Sequence, residues 1–168
     1  MNKRVLYIGL TYSILVIIYK LLIVLGGYQL TKFGFYYSHI LSVFAIIPFM
    51  VLAIKQVRDK DLGGFIAGRN AMAVGMTVAA IAMVILSVYQ YIEFEWKLKD
   101  LSIQYYNGAE YLEFLKKNPK IKAEMYPKII EENIAALSAF KAITAKLFSF
   151  LFITVSTAFI SAVFMKKN

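Results

Sequence analysis

The feature that most constrains the fold is one long apolar stretch, from Gly64 to Ile92, in which Arg69 is the only charged residue. A helix needs about 20 predominantly apolar residues to cross a bilayer. This stretch is longer than that and contains no proline. The sequence therefore predicts a membrane-crossing helix here.

Small side chains recur along one face of this predicted helix. They lie four positions apart in two series: Ala67, Ala71, Gly75 and Ala79, and Gly64 with Gly68. A face without bulk lets another helix approach closely, and in lipid such close packing is what joins helices. We therefore expect these six residues to pack against other helices.

The composition of the whole chain agrees with a membrane protein. Its residues are 60% hydrophobic and only 17% charged, with a mean hydropathy of +0.64, which excludes an ordinary soluble domain. Nineteen Lys and Arg against ten Asp and Glu give a formal charge of +9. In a chain of this class, basic residues are expected to flank membrane helices and contact lipids, so nucleic acid is not an expected partner. The absence of cysteine excludes disulfides and cysteine metal sites.

Four apolar runs predict four transmembrane spans, at about 5–26, 33–54, 65–92 and 143–165. The first resembles a signal peptide but is too long and lacks a cleavage pattern, so we interpret it as a retained helix. Pro48 removes one backbone hydrogen bond, and we expect it to kink the second span near Phe44. The predicted fold is an all-α polytopic membrane protein, one domain over 1–168 with its four helices in a bundle.

A polar but periodic segment, 93–142, separates the third and fourth spans. The third helix is expected to continue to Asn107, and a short helix to follow from Ala109 to Lys117. The last helix is expected to begin at Pro127 and to run without a break into the fourth span. The two arms, 93–107 and 128–142, then form an antiparallel helical stalk with 108–126 as its head. A solvated loop is the alternative.

Basic residues near short loops predict the orientation. With the N-terminus inside, the cytoplasmic side carries Lys3, Arg4, Lys55, Arg58, Lys60, Arg69, Lys166 and Lys167, and the short outer turn carries only Lys32. Both termini are therefore expected in the cytoplasm, and the stalk on the opposite side. Arg58 and Arg69 are expected to contact lipid headgroups. For Arg69, which follows Asp59 and Asp61, an ion pair within the loop is an equal interpretation, and binding of an anionic substrate is the less favoured alternative.

Several polar residues are expected at a similar depth near the outer ends of the spans: Lys20, His39, Gln90, Glu93 and Lys146. An ionisable group inside a membrane is a candidate functional site. Three interpretations stay open for this intramembrane polar cluster. The residues could pair structurally, above all Lys20 with Glu93, or Lys20 could reach outward to the headgroups, or the cluster could bind a ligand or proton.

No motif in the sequence indicates catalysis. A single histidine without an acidic helix motif does not make a metal centre, and GGFIAG lacks the spacing and the following Lys-Ser/Thr of a phosphate-binding loop. We therefore expect no enzyme activity, no metal and no cofactor.

Some features of the chain are shared with a known family. They are the order of the four spans, the opening of the third at GGFIAGRNAMAVG, its exit through SVYQYIEF, and a polar, helix-rich insertion before the last span. In these the chain resembles the four-helix membrane proteins grouped as "domain of unknown function 4199", common in Bacteroidota. The resemblance implies an inner-membrane location in a Gram-negative cell. It carries over no activity and no catalytic residue.

The favoured functional hypothesis is a non-enzymatic accessory or structural subunit that assembles with membrane partners or with itself. The alternative is a small homodimeric transporter or channel that uses the intramembrane polar cluster. Transporter repeats should carry broken helices at matching places, but Pro48 has no counterpart in the second half of the chain. A membrane enzyme acting on lipids or quinones is the least favoured hypothesis.

Overall fold

The computed structural model describes residues 2–28 and 40–165. Four of its helices are long and apolar enough to cross a membrane: Lys3–Leu25, Ile40–Asp61, Gly68–Tyr106 and Ala139–Met165. The described part of the chain contains helices and no strands. The prediction of an all-α protein with four potential membrane spans is therefore confirmed, while His39 and the predicted start of the second span lie outside the described residues.

The chain divides into two compact units. Unit 1 consists of residues 1–89 and 145–168, and unit 2 of residues 90–144. Unit 1 contains most of the apolar runs. The bounds of unit 2 lie within three residues of the polar segment 93–142.

Unit 1 begins with helix α1, Lys3–Leu25, whose N-terminus is capped by the side chain of Asn2 accepting a hydrogen bond from the N–H of Arg4. The second span is helical over 40–44, is interrupted at Ala45, and resumes as α2, Ile46–Gln56. The interruption is next to Phe44. In a regular helix the carbonyl of Phe44 would accept a hydrogen bond from the N–H of residue 48, but Pro48 has no N–H. The predicted kink position is thus one residue from the observed break.

Two π-helical stretches follow apolar helices and were not predicted. The first, Val57–Asp61, ends the second span, and the chain then turns through Gly63 and Gly64 at φ angles of +63° and +96°. Backbone at these angles strains any residue with a side chain, so this turn favours glycine. The second stretch, Phe94–Leu98, connects α3, Gly68–Glu93, to α4, Lys99–Tyr106. The predicted continuation of the third helix as far as Asn107 is confirmed.

Unit 2 is built from short helices: α4, α5 (Ala109–Lys116) and α6 (Tyr126–Ala135), with α4 packed against both of the others. Pro127 lies in the first turn of α6, as predicted. Its missing N–H costs nothing there, because the first N–H groups of a helix have no intrahelical partner.

The expectation of one unbroken helix from Pro127 into the fourth span is wrong. Helix α6 ends at Ala135, and α7, Ala139–Met165, begins after three intervening residues. The N–H of Ala136 closes the end of α6 by donating to the carbonyl of Glu132 at 2.9 Å, and the carbonyl of Ser138 accepts from Ala142 at 3.1 Å to open α7. Serine is a strong N-cap residue, so a helix can restart at this point without glycine or proline.

The core of unit 1 surrounds Tyr12, a fully buried residue of α1. Its hydroxyl donates to the carbonyl of Ser42, and its ring lies 5.4 Å from that of Phe49 and 6.3 Å from that of Phe150 between centroids. Aliphatic residues of α2, among them Met50, complete this cluster. Helices α1, α2 and α7 therefore converge on one aromatic centre.

Three separate parts of the chain lie close together at one end of unit 1. Asn2 Nδ2 donates to Asp61 Oδ2 at 2.7 Å, which joins the start of α1 to the end of the second span. A Cβ added at Gly68 would lie 3.6 Å from the carbonyl oxygen of Ala162, so the start of α3 adjoins the last turns of α7. The start of α1, the turn before α3 and the last turns of α7 consequently lie at the same end of unit 1.

Candidate functional site

The small-residue face of α3 is filled by other helices of the same chain. Ala71 and Ala79 are fully buried, and a Cβ added at Gly75 would meet Met50 Cε at 3.2 Å and Ala158 Cβ at 3.5 Å. The contacts come from α2 and α7 of unit 1. This face is therefore an internal packing surface and is not open to a partner protein.

Gly64 and Ala67 depart from the helix-packing expectation. Both precede α3, which begins at Gly68. Ala67 is exposed, and a Cβ added at Gly64 would meet no atom within 4 Å. The helical periodicity that linked these residues to Ala71 and Gly75 does not apply to them, because residues 62–67, immediately before Gly68, are not helical.

Lys20 is the most deeply buried cation in the described part of unit 1. Its side chain is only 5% exposed, although it lies within a potential membrane span. Its Nζ lies 5.1 Å from the centroid of the Tyr89 ring. A cation over an aromatic face is attracted by the negative electrostatic potential of that face, which arises from the ring quadrupole, and this attraction grows where water is excluded. Lys146 of α7 also belongs to unit 1 and is half-buried.

The acidic and amide members of the intramembrane polar cluster belong to unit 2. Glu93 is 2% exposed and Gln90 is 7% exposed. The Nε2 of Gln90 has no hydrogen-bond partner within residues 2–28 and 40–165. The pairing of Lys20 with Glu93 stays a prediction, and His39 lies outside the described residues.

Two buried hydroxyls in the spans donate to carbonyls of their own helix. Ser13 Oγ donates to the carbonyl of Gly9 at 2.8 Å, and Thr154 Oγ1 donates to that of Leu151 at 3.0 Å. A hydroxyl that bonds the preceding turn is satisfied without a partner helix or a water file. These two groups therefore serve helix packing in unit 1 rather than a polar path.

Charged pairs lie at the end of unit 1 that contains the start of α1. Arg4 Nε lies 3.1 Å from Asp61 Oδ1, and Arg58 Nε lies 2.7 Å from Asp59 Oδ1. Arg58, expected to contact lipid, is thus bound to its neighbour in the chain. Arg69, the second residue expected to contact lipid, is exposed.

Unit 2 contains a groove of about 440 Å³ that sequence reasoning missed. It is lined mainly by apolar side chains of α6 and the segments beside it: Asn107, Leu112, Tyr126, Pro127, Ile130, Glu131 and Ile134. The signal was present in the sequence, because Tyr126, Ile130 and Ile134 recur every fourth residue and so share one helix face. The volume is within the range of sites that bind small molecules or peptide side chains.

An aromatic cluster lies in the same unit. The ring of Tyr111 is 5.6 Å from that of Tyr105, 4.9 Å from that of Tyr106 and 5.9 Å from that of Phe114. The Tyr111 oxygen accepts a hydrogen bond from Asn133 Nδ2 at 2.8 Å, which joins α5 to α6. Burial raises the pKa of Tyr111 above its ordinary value, and the neighbouring Tyr106 and Tyr105 raise it further. The cluster therefore holds a neutral phenol at its centre.

The acidic side chains of residues 2–28 and 40–165 do not form a metal centre. No group of three or more His, Cys, Asp or Glu there is placed to hold an ion. Within the described ranges, neither the polar residues of unit 1 nor the groove of unit 2 has the ligands that a divalent metal needs.

Comparison with known proteins gives one match. The model of a family described as "Protein of unknown function (DUF4199)" matches residues 6–167. No curated protein and no solved structure matches the chain. The matched range includes all of unit 2 and nearly all of unit 1, so neither is an addition to the family's common sequence.

Proposed function

Since the chain belongs to the DUF4199 family, whose function is unknown, we propose from its own residues that it is a non-enzymatic accessory or structural subunit of a membrane assembly. In this proposal unit 1 anchors the protein in the bilayer, and the groove of unit 2 binds a partner protein. The partner presents an apolar side chain or short helix to the groove.

The observation that carries this proposal is the contrast between two apolar surfaces. The small-residue face of α3 is covered within the chain by Met50 and Ala158. The groove on α6 is instead open to a ligand and is lined by Ile130 and Ile134. An uncovered apolar groove with few polar groups is a typical protein docking surface. This contrast supports the proposal that the protein assembles through unit 2.

We further propose that the protein resides in the inner membrane with both termini in the cytoplasm and unit 2 on the opposite side. The excess of basic residues at short loops supports this orientation. The hydrogen bond from Asn2 to Asp61 and the proximity of Gly68 to Ala162 support a common side for the start of α1 and the end of α7. A membrane-impermeant maleimide should label Gly108→Cys in intact spheroplasts and leave Asn168→Cys unlabelled. The reverse pattern would overturn the orientation.

The docking role is tested by one groove variant and one control on the same helix. Ile130 lines the groove, whereas the side chain of Lys128 is 75% exposed and does not line it. The parent, Ile130→Asp and Lys128→Asp are purified from native membranes in mild detergent after brief crosslinking. We expect a stoichiometric partner with the parent and with Lys128→Asp, and at least tenfold less of it with Ile130→Asp. A partner retained by a correctly folded Ile130→Asp protein would contradict a role for the groove.

A second candidate function is a small homodimeric transporter or channel, and the burial of Lys20 favours it. Charged residues within spans are expensive to bury and commonly mark ion or substrate paths. In reconstituted vesicles, a dimer with a flux that Lys20→Met abolishes would support this candidate. A monomer that transports no ion tested, together with a partner bound at the groove, would support the accessory role.

A further inference from the structure

The excess positive charge of the protein lies entirely in unit 1. Unit 1 contains eleven Lys and Arg but only two acidic residues, Asp59 and Asp61. Unit 2 contains eight Lys and eight Asp and Glu, so its formal charge is zero. The +9 of the chain is thus a property of the unit that holds the membrane spans.

Six of these cations lie in the segments that meet at one end of unit 1: Lys3, Arg4, Lys55, Arg58, Lys60 and Arg69. The start of α1 is bound to Asp61 by Asn2 and Arg4. The π-helical stretch Val57–Asp61 is joined to the turn that follows it by the N–H of Gly64, which donates to the carbonyl of Arg58 at 2.8 Å. We call this end of unit 1 the basic end.

Both carboxylates of the basic end are used by arginines. Asp61 binds Arg4, and Asp59 binds Arg58. The other four cations, Lys3, Lys55, Lys60 and Arg69, are exposed, and within the described ranges 2–28 and 40–165 none of them has a carboxylate within 4.0 Å. Four positive charges therefore face outward without a counter-charge from that part of the chain.

The turn between these cations also exposes two large apolar side chains. Leu62 is 43% exposed and Phe65 is 60% exposed, on either side of Gly63 and Gly64. The positive φ angles of the two glycines reverse the chain so that a short turn joins the second span to α3. Apolar side chains beside lysines and an arginine suit the boundary between headgroups and acyl chains, where the cations meet phosphate and the apolar groups meet lipid tails.

We propose that the basic end is a binding site for an anionic phospholipid. The phosphate is held by Lys60 and Arg69, with Lys3 and Lys55 contributing further positive charge. Leu62 and Phe65 contact the upper part of the acyl chains. This inference goes beyond the proposed accessory function, because it concerns lipid binding by the charged surface of unit 1 and does not require a protein partner.

The test measures lipid preference of the full-length protein in nanodiscs or by native mass spectrometry. Phosphatidylglycerol is compared with phosphatidylcholine of the same acyl chains, and we expect at least tenfold tighter binding of the anionic lipid. Each cation near a membrane surface contributes roughly a fivefold change in affinity. Changing Lys55, Lys60 and Arg69 together to Gln should therefore remove the preference for the anionic lipid. Among single variants, Lys60→Gln and Arg69→Gln should each weaken the preference more than Arg58→Gln does. The reason is that the Arg58 side chain is already paired with Asp59.

Two matched controls keep the result specific. Lys97→Gln with Lys99→Gln and Lys128→Gln removes the same charge from unit 2 and should leave the preference intact. Lys55→Arg with Lys60→Arg and Arg69→Lys keeps the charge and should keep binding. An equal loss in the unit 2 variant, or no preference in the parent, would overturn the proposal.

A final comparison separates a lipid from a soluble phosphate ligand. Phe65→Ser should weaken binding of phosphatidylglycerol without changing the effect of inorganic phosphate. If inorganic phosphate at equal concentration competes as well as the lipid does, and Phe65→Ser changes nothing, the site takes a free anion and the lipid proposal is wrong.

Discussion

The two units of this protein reach their packing by different means. In unit 1, small residues such as Gly75 and Ala79 let helices approach closely, and a single aromatic centre at Tyr12 is surrounded by aliphatic side chains. In unit 2, the buried apolar side chains in the described structure are few: Phe94, Tyr111, Leu115 and Ala139. Its helices are held by tyrosine rings and by the hydrogen bond from Asn133 to Tyr111.

This difference agrees with the surroundings that we propose for each unit, lipid around unit 1 and water around unit 2. Within a bilayer, lipid tails are as apolar as the side chains, so close contact between smooth helix faces supplies the attraction. A charge-balanced helical unit has to gain its stability from burying large side chains away from water. Unit 2 buries few of these, and we expect it to open more readily than unit 1.

The largest expected effects come from emptying each core in turn. Met50 and Leu115 are 0% and 1% exposed, in unit 1 and unit 2 respectively. Each change to Ala should cost about 2–5 kcal/mol of unfolding free energy. We expect Leu115→Ala to abolish amide exchange protection across α5 and α6 while α1 and α2 stay protected, and Met50→Ala to lower the thermal stability of unit 1.

Phe114 provides the control for this pair, since it neighbours Leu115 but is 59% exposed. Phe114→Ala should leave exchange protection in α6 within a few-fold of the parent. If Leu115→Ala instead removed protection from α1 and α2 to the same extent as from α5, the two units would unfold together. Unit 2 would then not open more readily than unit 1.

Local signals in the sequence were sufficient for the spans and for several helix ends. Hydropathy located four runs, Pro48 located the break at Ala45 to within one residue of the expected position, and Pro127 located the start of α6. Each of these depends on the residue itself or on a few neighbours. The break between Ala135 and Ala139 carries no glycine or proline, so the periodicity continued across it and gave no warning.

Candidate site residues were harder to predict because their partners lie far away in the chain. The stripe through Ala71 and Gly75 indicated a packing face but not which helices cover it, and these proved to be α2 and α7. The groove of unit 2 depends on how α6 meets Leu112, which no periodicity specifies. The ion pair of Arg58 with Asp59 depends on side-chain rotamers, which the sequence pattern does not encode.

The packing of unit 1 through small residues is tested at Gly75. Its neighbours, Met50 Cε and Ala158 Cβ, lie 3.2 and 3.5 Å from where a Cβ would stand. Gly75→Ala should be nearly neutral, because the end of the Met50 side chain can shift. Gly75→Leu should overpack the site and cost about 1–3 kcal/mol or more, seen as lower thermal stability in detergent. Ala73→Leu, at an exposed position of α3, should have little effect, and equal stability of Gly75→Leu and Ala73→Leu proteins would contradict close packing at this face.

A smaller effect is expected from the contact of Lys20 with Tyr89. A double-mutant cycle of Lys20→Met and Tyr89→Leu on detergent stability should give a coupling free energy of about 0.5–2 kcal/mol, the range for a cation over a ring.

A second cycle, of Lys20→Met and Glu93→Gln, tests the pairing predicted from sequence. Additive effects within about 0.5 kcal/mol in either cycle would show that the two residues do not interact. A Lys20→Met protein as stable as the parent but inactive in cells would favour a functional role for this lysine.

The smallest expected effect concerns the neutral phenol at the centre of unit 2. Because burial and the neighbouring tyrosines raise the pKa of Tyr111, the folded protein keeps this proton at a pH where the unfolded chain has begun to lose it. The contribution of Tyr111 to stability should therefore be constant below about pH 10, the ordinary tyrosine value, and fall as the pH rises through the raised pKa.

Tyr111→Phe separates this ionisation from the hydrogen bond that Asn133 donates. At pH 8 the variant should lose about 1 kcal/mol of unfolding free energy, because the Asn133 amide loses its acceptor. Above pH 10 it should lose less further stability than the parent does. Urea unfolding followed by the fluorescence of Trp96, the only tryptophan of the chain and a residue of unit 2, measures both effects. Tyr91→Phe, at a tyrosine that is 55% exposed, should retain the alkaline loss. An alkaline slope in Tyr111→Phe equal to that of the parent would mean that this phenol does not set the pH response of unit 2.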